Sequence, residues 1–215
     1  YNLWVGPVKN ARPYHPSICP YGWRFWWQFG SGETGNWGCH ILDIPYWALG
    51  LGHADRVQAS GPPVDAERSP KAMHCEFHFP TSNQGGPIKM HWDHGDPGTQ
   101  LEDVTGISGL NLKGMNTCFI GEKGSLLAGF DKHQLLPEDQ FKEYTVPAHT
   151  IPKSPGFHQE WVHACKGNAP ATCNFDYSGP LSETVLLGNV AYRTGDFMWN
   201  HQELTSSGSF TDWSV

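Results

Sequence analysis

Residues 72–79 and 88–93 alternate between apolar and polar side chains, and this alternation constrains the fold more than any other feature. Met73, Cys75, Phe77 and Phe79 fall on one side of the first stretch, with His74, Glu76 and His78 on the other. Ile88, Met90 and Trp92 alternate in the same way with Lys89, His91 and Asp93. A period of two belongs to a strand with one face on a core and one in water. A slip of one residue would turn the charged set inward, so the register is strongly specified. The linker 80–87 is rich in Pro, Gly, Ser and Asn, so the two strands form an antiparallel hairpin with a long loop.

The remaining elements follow from weaker signals. Residues 56–60 read as a short strand. Residues 117–120 and 125–130 flank Glu122-Lys123-Gly124 and read as a second hairpin. Trp37, His40, Ile41, Ile44, Trp47 and Ala48 recur at helical spacing, which predicts a helix over 36–50, kinked or cut short at Pro45. A helix over 156–166 has Ser154 as N-cap and Pro155 at its first position, and another over 180–193 ends at Gly195. Residues 1–35 are loop-rich with aromatic anchors, and 131–155 are loop-like with four prolines. With 25 Gly and 17 Pro the chain favours sheet and turns over a helical bundle. The expectation is an α+β fold with an open, mainly antiparallel sheet, as a single domain over residues 1–215.

A net charge of −7 argues against nucleic acid and anionic membrane surfaces as partners. No apolar run approaches the roughly 18 residues of a membrane span. The compartment stays open, cytoplasmic or periplasmic. The six cysteines stand apart, at 19, 39, 75, 118, 165 and 173, without a C-x-x-C pair. Cys75 and Cys118 sit in apolar alternation and read as buried thiols. Cys165 and Cys173 flank a turn, where a disulfide is geometrically conceivable but not expected.

The stretch Gly35-Asn36-Trp37-Gly38-Cys39-His40-Ile41-Leu42-Asp43 follows an aromatic block, Trp23-Arg24-Phe25-Trp26-Trp27-Gln28-Phe29-Gly30. On a helix Asn36 and His40 share a face, and Asp43 reaches the same side. An imidazole backed by polar groups is a natural proton acceptor. The competing reading is a histidine filling a core corner with Asp43 as its partner.

Several segments together resemble one family. The opening reads Asn2-Leu3-Trp4-Val5-Gly6-Pro7-Val8, then Arg12-Pro13-Tyr14-His15-Pro16. Further on stand Gly121-Glu122-Lys123-Gly124, Pro152-Lys153-Ser154-Pro155-Gly156-Phe157-His158-Gln159-Glu160-Trp161, and Gly179-Pro180-Leu181-Ser182-Glu183-Thr184-Val185-Leu186-Leu187-Gly188-Asn189. In this order, and with the 35–43 stretch, they resemble the C-terminal substrate domain of the Gfo/Idh/MocA oxidoreductases, the family of glucose-fructose oxidoreductase and inositol dehydrogenase. The resemblance spans nearly the whole chain.

It implies an open sheet with helices on one face, the other face often mediating dimer contacts, so a homo-oligomer through the sheet face. It implies NAD- or NADP-dependent hydride transfer on a carbohydrate substrate: a sugar, polyol or glycoside. By the family signature His40 takes the hydroxyl proton, and Asn36 bonds the substrate or orients the imidazole. Many relatives carry Asp at the position of Asn36, and Asn cannot buffer a proton. The nucleotide-binding half and its E-K-P segment are missing. Gly30, Gly32 and Gly35 spell G-x-G-x-x-G but follow a Trp-rich run rather than a buried strand. The expectation is a C-terminal half without its dinucleotide domain, binding no cofactor and inactive on its own.

Tyr14, His15, Arg24 and Asp43 are candidate substrate contacts, each with packing or surface exposure as the competing reading. Trp23, Trp26 and Trp27 could stack on a sugar or fill the core. Lys153 and His158 lie at a helix start, which can hold an anion or merely be solvated. Two alternatives stand beside the dehydrogenase domain. One is a stand-alone sugar-binding or oligomerisation module. The other is a metal site on His74, Glu76 and His78, with His91 and Asp93 opposite; two histidines and a carboxylate suit a divalent metal, although solvated strand faces are commoner.

Overall fold

The structure is a computed structural model that describes residues 1–95, 103, 106 and 114–207. The chain is α+β, with two open antiparallel sheets. It divides into two compact units, Tyr1–Gln100 with Leu181–Val215, and Leu101–Pro180.

The first unit holds a five-stranded sheet. Its strands are β1 (Arg56–Ser60), β2 (Met73–Phe79), β3 (Ile88–His94), β7 (Phe197–Asn200) and β8 (Thr205–Ser207), in the order β3-β2-β1-β7-β8. Every pairing is antiparallel. The alternation in β2 becomes strict alternation of burial. Cys75, Phe77 and Phe79 are fully buried, and Met90 and Trp92 of β3 join them on the same face.

Two helices cover that face. Helix α2 (Cys39–Leu49) buries Ile41, Leu42, Pro45 and Tyr46, and the Tyr46 ring meets Phe79 edge-on at 5.7 Å. It runs through Pro45 with no early stop and ends at Gly50, whose φ of 58° closes the last turn. The β2–β3 loop caps it: the Asn83 backbone N–H donates to the Leu49 carbonyl (2.9 Å) and its side-chain amide to the Ala48 carbonyl (3.1 Å).

Helix α4 (Phe175–Thr194) begins five residues before the expected Pro180. The cause is Asn174, whose Oδ1 accepts the Tyr177 backbone N–H at 3.2 Å, an N-cap that the proline obscured. Helix α1 is one short turn, Asn2–Val5.

The second unit carries a three-stranded sheet of β4 (Thr117–Gly121), β5 (Gly124–Ala128) and β6 (His133–Leu136), in sequential order. The expected hairpin is β4–β5; β6 lies where a loop was expected. Helix α3 (Phe157–Cys165) follows, with no buried residue. Its N-cap is Gly156, not Ser154; Ser154 Oγ instead accepts the Gly156 backbone N–H at 3.1 Å. All six cysteines are free thiols, Cys75 buried and Cys118 only half-buried.

Candidate functional site

The chain reaches α2 through a wide π-turn, Thr34–Gly38. Thr34 is buried, and its hydroxyl accepts the Trp92 indole N–H at 3.2 Å, tying the turn to β3. Gly38 faces Val185 of α4, where an added β-carbon would stand 3.3 Å from Cγ1. The Cys39 thiol donates to the Gly35 carbonyl at 3.2 Å. These contacts fix which side of α2 faces inward, so Trp37 and His40 come out on the solvent side.

His40 is exposed, and the Trp37 ring lies against it at 5.6 Å and 63°. Asn36 is half-buried in the π-turn preceding α2, with no side-chain hydrogen bond among the described residues. His40 is not a core histidine. Asp43 is half-buried and partnered.

The other candidates lie elsewhere and are engaged locally. Tyr14 is exposed and packs edge-on to Tyr1 at 5.5 Å. His15 Nδ1 accepts the Ser17 backbone N–H at 3.1 Å, closing a surface turn. Arg24 folds back onto its own aromatic block, 3.9 Å from the Tyr21 ring centre and 5.1 Å from that of Trp23. Its Nη1 donates to the Tyr21 carbonyl at 2.5 Å, an arrangement that braces the loop. Trp26 is buried between Arg12 and Arg68, whose guanidinium carbons lie 4.9 and 5.0 Å from its ring centre. Lys153 and His158 are exposed at the start of α3.

His74, Glu76 and His78 do share the polar face of β2, but each takes its own partner. His74 Nδ1 lies 2.8 Å from Asp93, His78 Nδ1 lies 2.6 Å from Asp55, and Glu76 bonds Lys89 at 3.0 Å. The Lys89 hydrogen bond holds the Glu76 carboxyl below its ordinary range. Among the described residues no group of three His, Cys, Asp or Glu could hold a metal.

One cluster has no local signature in the sequence. Glu183 Oε1 of α4 accepts the Trp199 indole N–H at 3.0 Å and lies 2.8 Å from His53 Nδ1. The His201 ring stacks on His53 at 3.8 Å and 3°. His53 and Glu183 are 130 positions apart, so only the fold reveals the pair.

Gly30, Gly32 and Gly35 are each packed closely against the chain itself. A β-carbon at Gly30 would stand 2.6 Å from the Arg24 backbone, one at Gly32 would stand 2.5 Å from Ser69, and one at Gly35 would strike the Ser31 hydroxyl. No known family model matches this chain. No curated protein is significantly similar to it. Among the described residues no helix is long and apolar enough to cross a membrane.

Proposed function

We propose that this chain is the substrate-binding domain of an NAD(P)-dependent oxidoreductase acting on a sugar, polyol or glycoside. The family resemblance motivates the reading. The observation that carries it is the presentation of His40: an exposed imidazole on a helix start pinned by Thr34 and Trp92, with only the Trp37 ring against it. Its ring nitrogens carry no hydrogen bond among the described residues, so it is open to a substrate hydroxyl. His40 takes the proton of that hydroxyl, and Asn36 offers an amide to a neighbouring one. Asn36 serves as a hydrogen-bond partner only, since an amide holds no exchangeable charge. NAD or NADP would be the redox partner, bound by a separate domain.

Self-association belongs to the same reading. The outer face of the five-stranded sheet carries both signs of charge, with Glu76 beside Lys89 and Asp93 beside His74, and such a mixed face suits a self-complementary contact. Sedimentation of the purified protein tests it; a monomer at all concentrations rejects it.

The decisive experiment is the intact mass of the native protein against the 23.9 kDa of this chain, with NAD+ and NADP+ reduction on a panel of sugars, polyols and glycosides. A mass near twice this value with reduction of either cofactor supports the reading. No reduction with any substrate rejects it.

A further inference from the structure

We propose a second carbohydrate site, separate from His40: a surface groove that binds an acidic pyranose, a hexuronate, against Trp27. The groove has a volume of about 360 Å3 and is lined by Pro7, Val8, Lys9, Trp27 and Gln28. Its two walls come from different segments. Gly6, with φ of 62°, turns the chain out of α1 into Pro7–Lys9, and the Trp4 ring anchors that segment to Phe29 at 4.9 Å.

The indole of Trp27 is fixed before any ligand arrives. Its Nε1 donates to the Asp65 carbonyl at 3.0 Å, and its backbone N–H donates to the Glu67 carbonyl at 2.9 Å. The Arg193 guanidinium sits over the ring, 5.1 Å from its centre. A platform held this way loses little freedom when a flat apolar face stacks on it.

The polar groups of the groove are the unspent ones. Lys9 is exposed, and among the described residues neither its ammonium nor the Gln28 amide has a side-chain partner. An aromatic residue lining a groove beside a few polar groups is the composition of a small-ligand site. A pyranose ring presents an apolar face to Trp27 and hydroxyls to Gln28. A carboxylate on that ring meets Lys9 in a charge-assisted hydrogen bond. In a chain of net charge −7, this cation makes the groove selective for an acidic sugar that the rest of the surface repels.

The test is calorimetric titration of the whole chain with methyl β-D-glucuronoside and, separately, methyl β-D-glucoside. The expected result is saturable binding of the glucuronoside, weakened about tenfold by Lys9→Met, the worth of one such bond. Trp27→Ala removes it, Gln28→Ala weakens it, and Lys9→Met leaves the much weaker glucoside binding unchanged. His40→Ala leaves glucuronoside binding intact, which separates this site from the proposed catalytic one. No saturable binding, binding indifferent to Lys9→Met and Gln28→Ala, or loss of binding in His40→Ala would each overturn the groove assignment.

Discussion

Gly188 of α4 stands directly against Cys75 of β2: a β-carbon added to the glycine would lie 3.0 Å from the Cys75 sulfur and 3.1 Å from the Phe77 ring. This contact sets how closely the long helix approaches the sheet. Both partners on the sheet are fully buried and have nowhere to move.

Gly188→Ala therefore gains helix propensity and loses more in packing. Alanine favours a helix by about 1 kcal/mol over glycine, whereas overpacking a tight core costs about 1–3 kcal/mol. The expected net effect is destabilisation of about 1 kcal/mol, with Cys75→Ser unable to relieve it because the clash with Phe77 remains. Urea denaturation of the variant measures this; an unchanged or raised midpoint rejects the close approach.

The same geometry decides which thiols react. Burial pushes the Cys75 thiol up to about 12, so it carries almost no thiolate at neutral pH. Cys165 and Cys173 are exposed. Brief alkylation of the native protein at pH 8 should label Cys165 and Cys173 and spare Cys75, read by peptide mass. Labelling of Cys75 at a comparable rate would contradict its place under α4.

How much of this was legible beforehand differs from element to element. Strand β1 has the expected bounds, Arg56–Ser60, and the β2–β3 pair follows from its alternation because burial on one face leaves a period of two in the residues. Strands β6, β7 and β8 span only three or four residues each, too short for any period to stand out. The start of α4 was hidden because Pro180 imitates a first-turn proline while the cap is Asn174. At the candidate site the sequence indicates the residues around His40 but not their environment. Arg24 looks like a free cation in the sequence and is spent on Tyr21 and Trp23 in the fold. The His53–Glu183 pair joins residues 130 positions apart, and no local pattern encodes such a contact.

Tyr46 makes the stability of this fold fall at high pH. Its hydroxyl donates to the Gly52 carbonyl and lies 3.4 Å from Thr184 Oγ1. Burial, with Glu183 adding to it, pushes its phenol up to about 12 from an ordinary 10.0. Below pH about 10 the group is neutral in both folded and unfolded chains and contributes no slope. Between about 10 and about 12 the unfolded chain releases the proton and the folded chain keeps it, so stability falls as pH rises. The loss across that window is of order 2 kcal/mol. Denaturation at pH 9 and 11.5 should show this drop, and Tyr46→Phe should reduce it. An equal drop in the variant would assign the effect to other groups.

His40 carries the sharpest test of the proposed function. On the proposed reading, with a cofactor-binding domain supplying NAD or NADP, His40→Ala should lower turnover by about 100-fold or more, the usual worth of a positioned base. The side chain is exposed and buries nothing in the core, so the variant should keep its melting temperature to within about 2 °C. This pairing of outcomes separates chemistry from folding: a core histidine would lose both, and a bystander would lose neither. The loss should shrink as pH rises, because hydroxide and deprotonated alcohol become available without an enzymic base. Trp37→Ala, which removes the ring beside the imidazole, should lower turnover less than His40→Ala and leave the shape of the pH profile unchanged. Steady-state kinetics of both variants from pH 6 to 10 read these outcomes, and turnover in His40→Ala within about threefold of wild type would take His40 out of the mechanism.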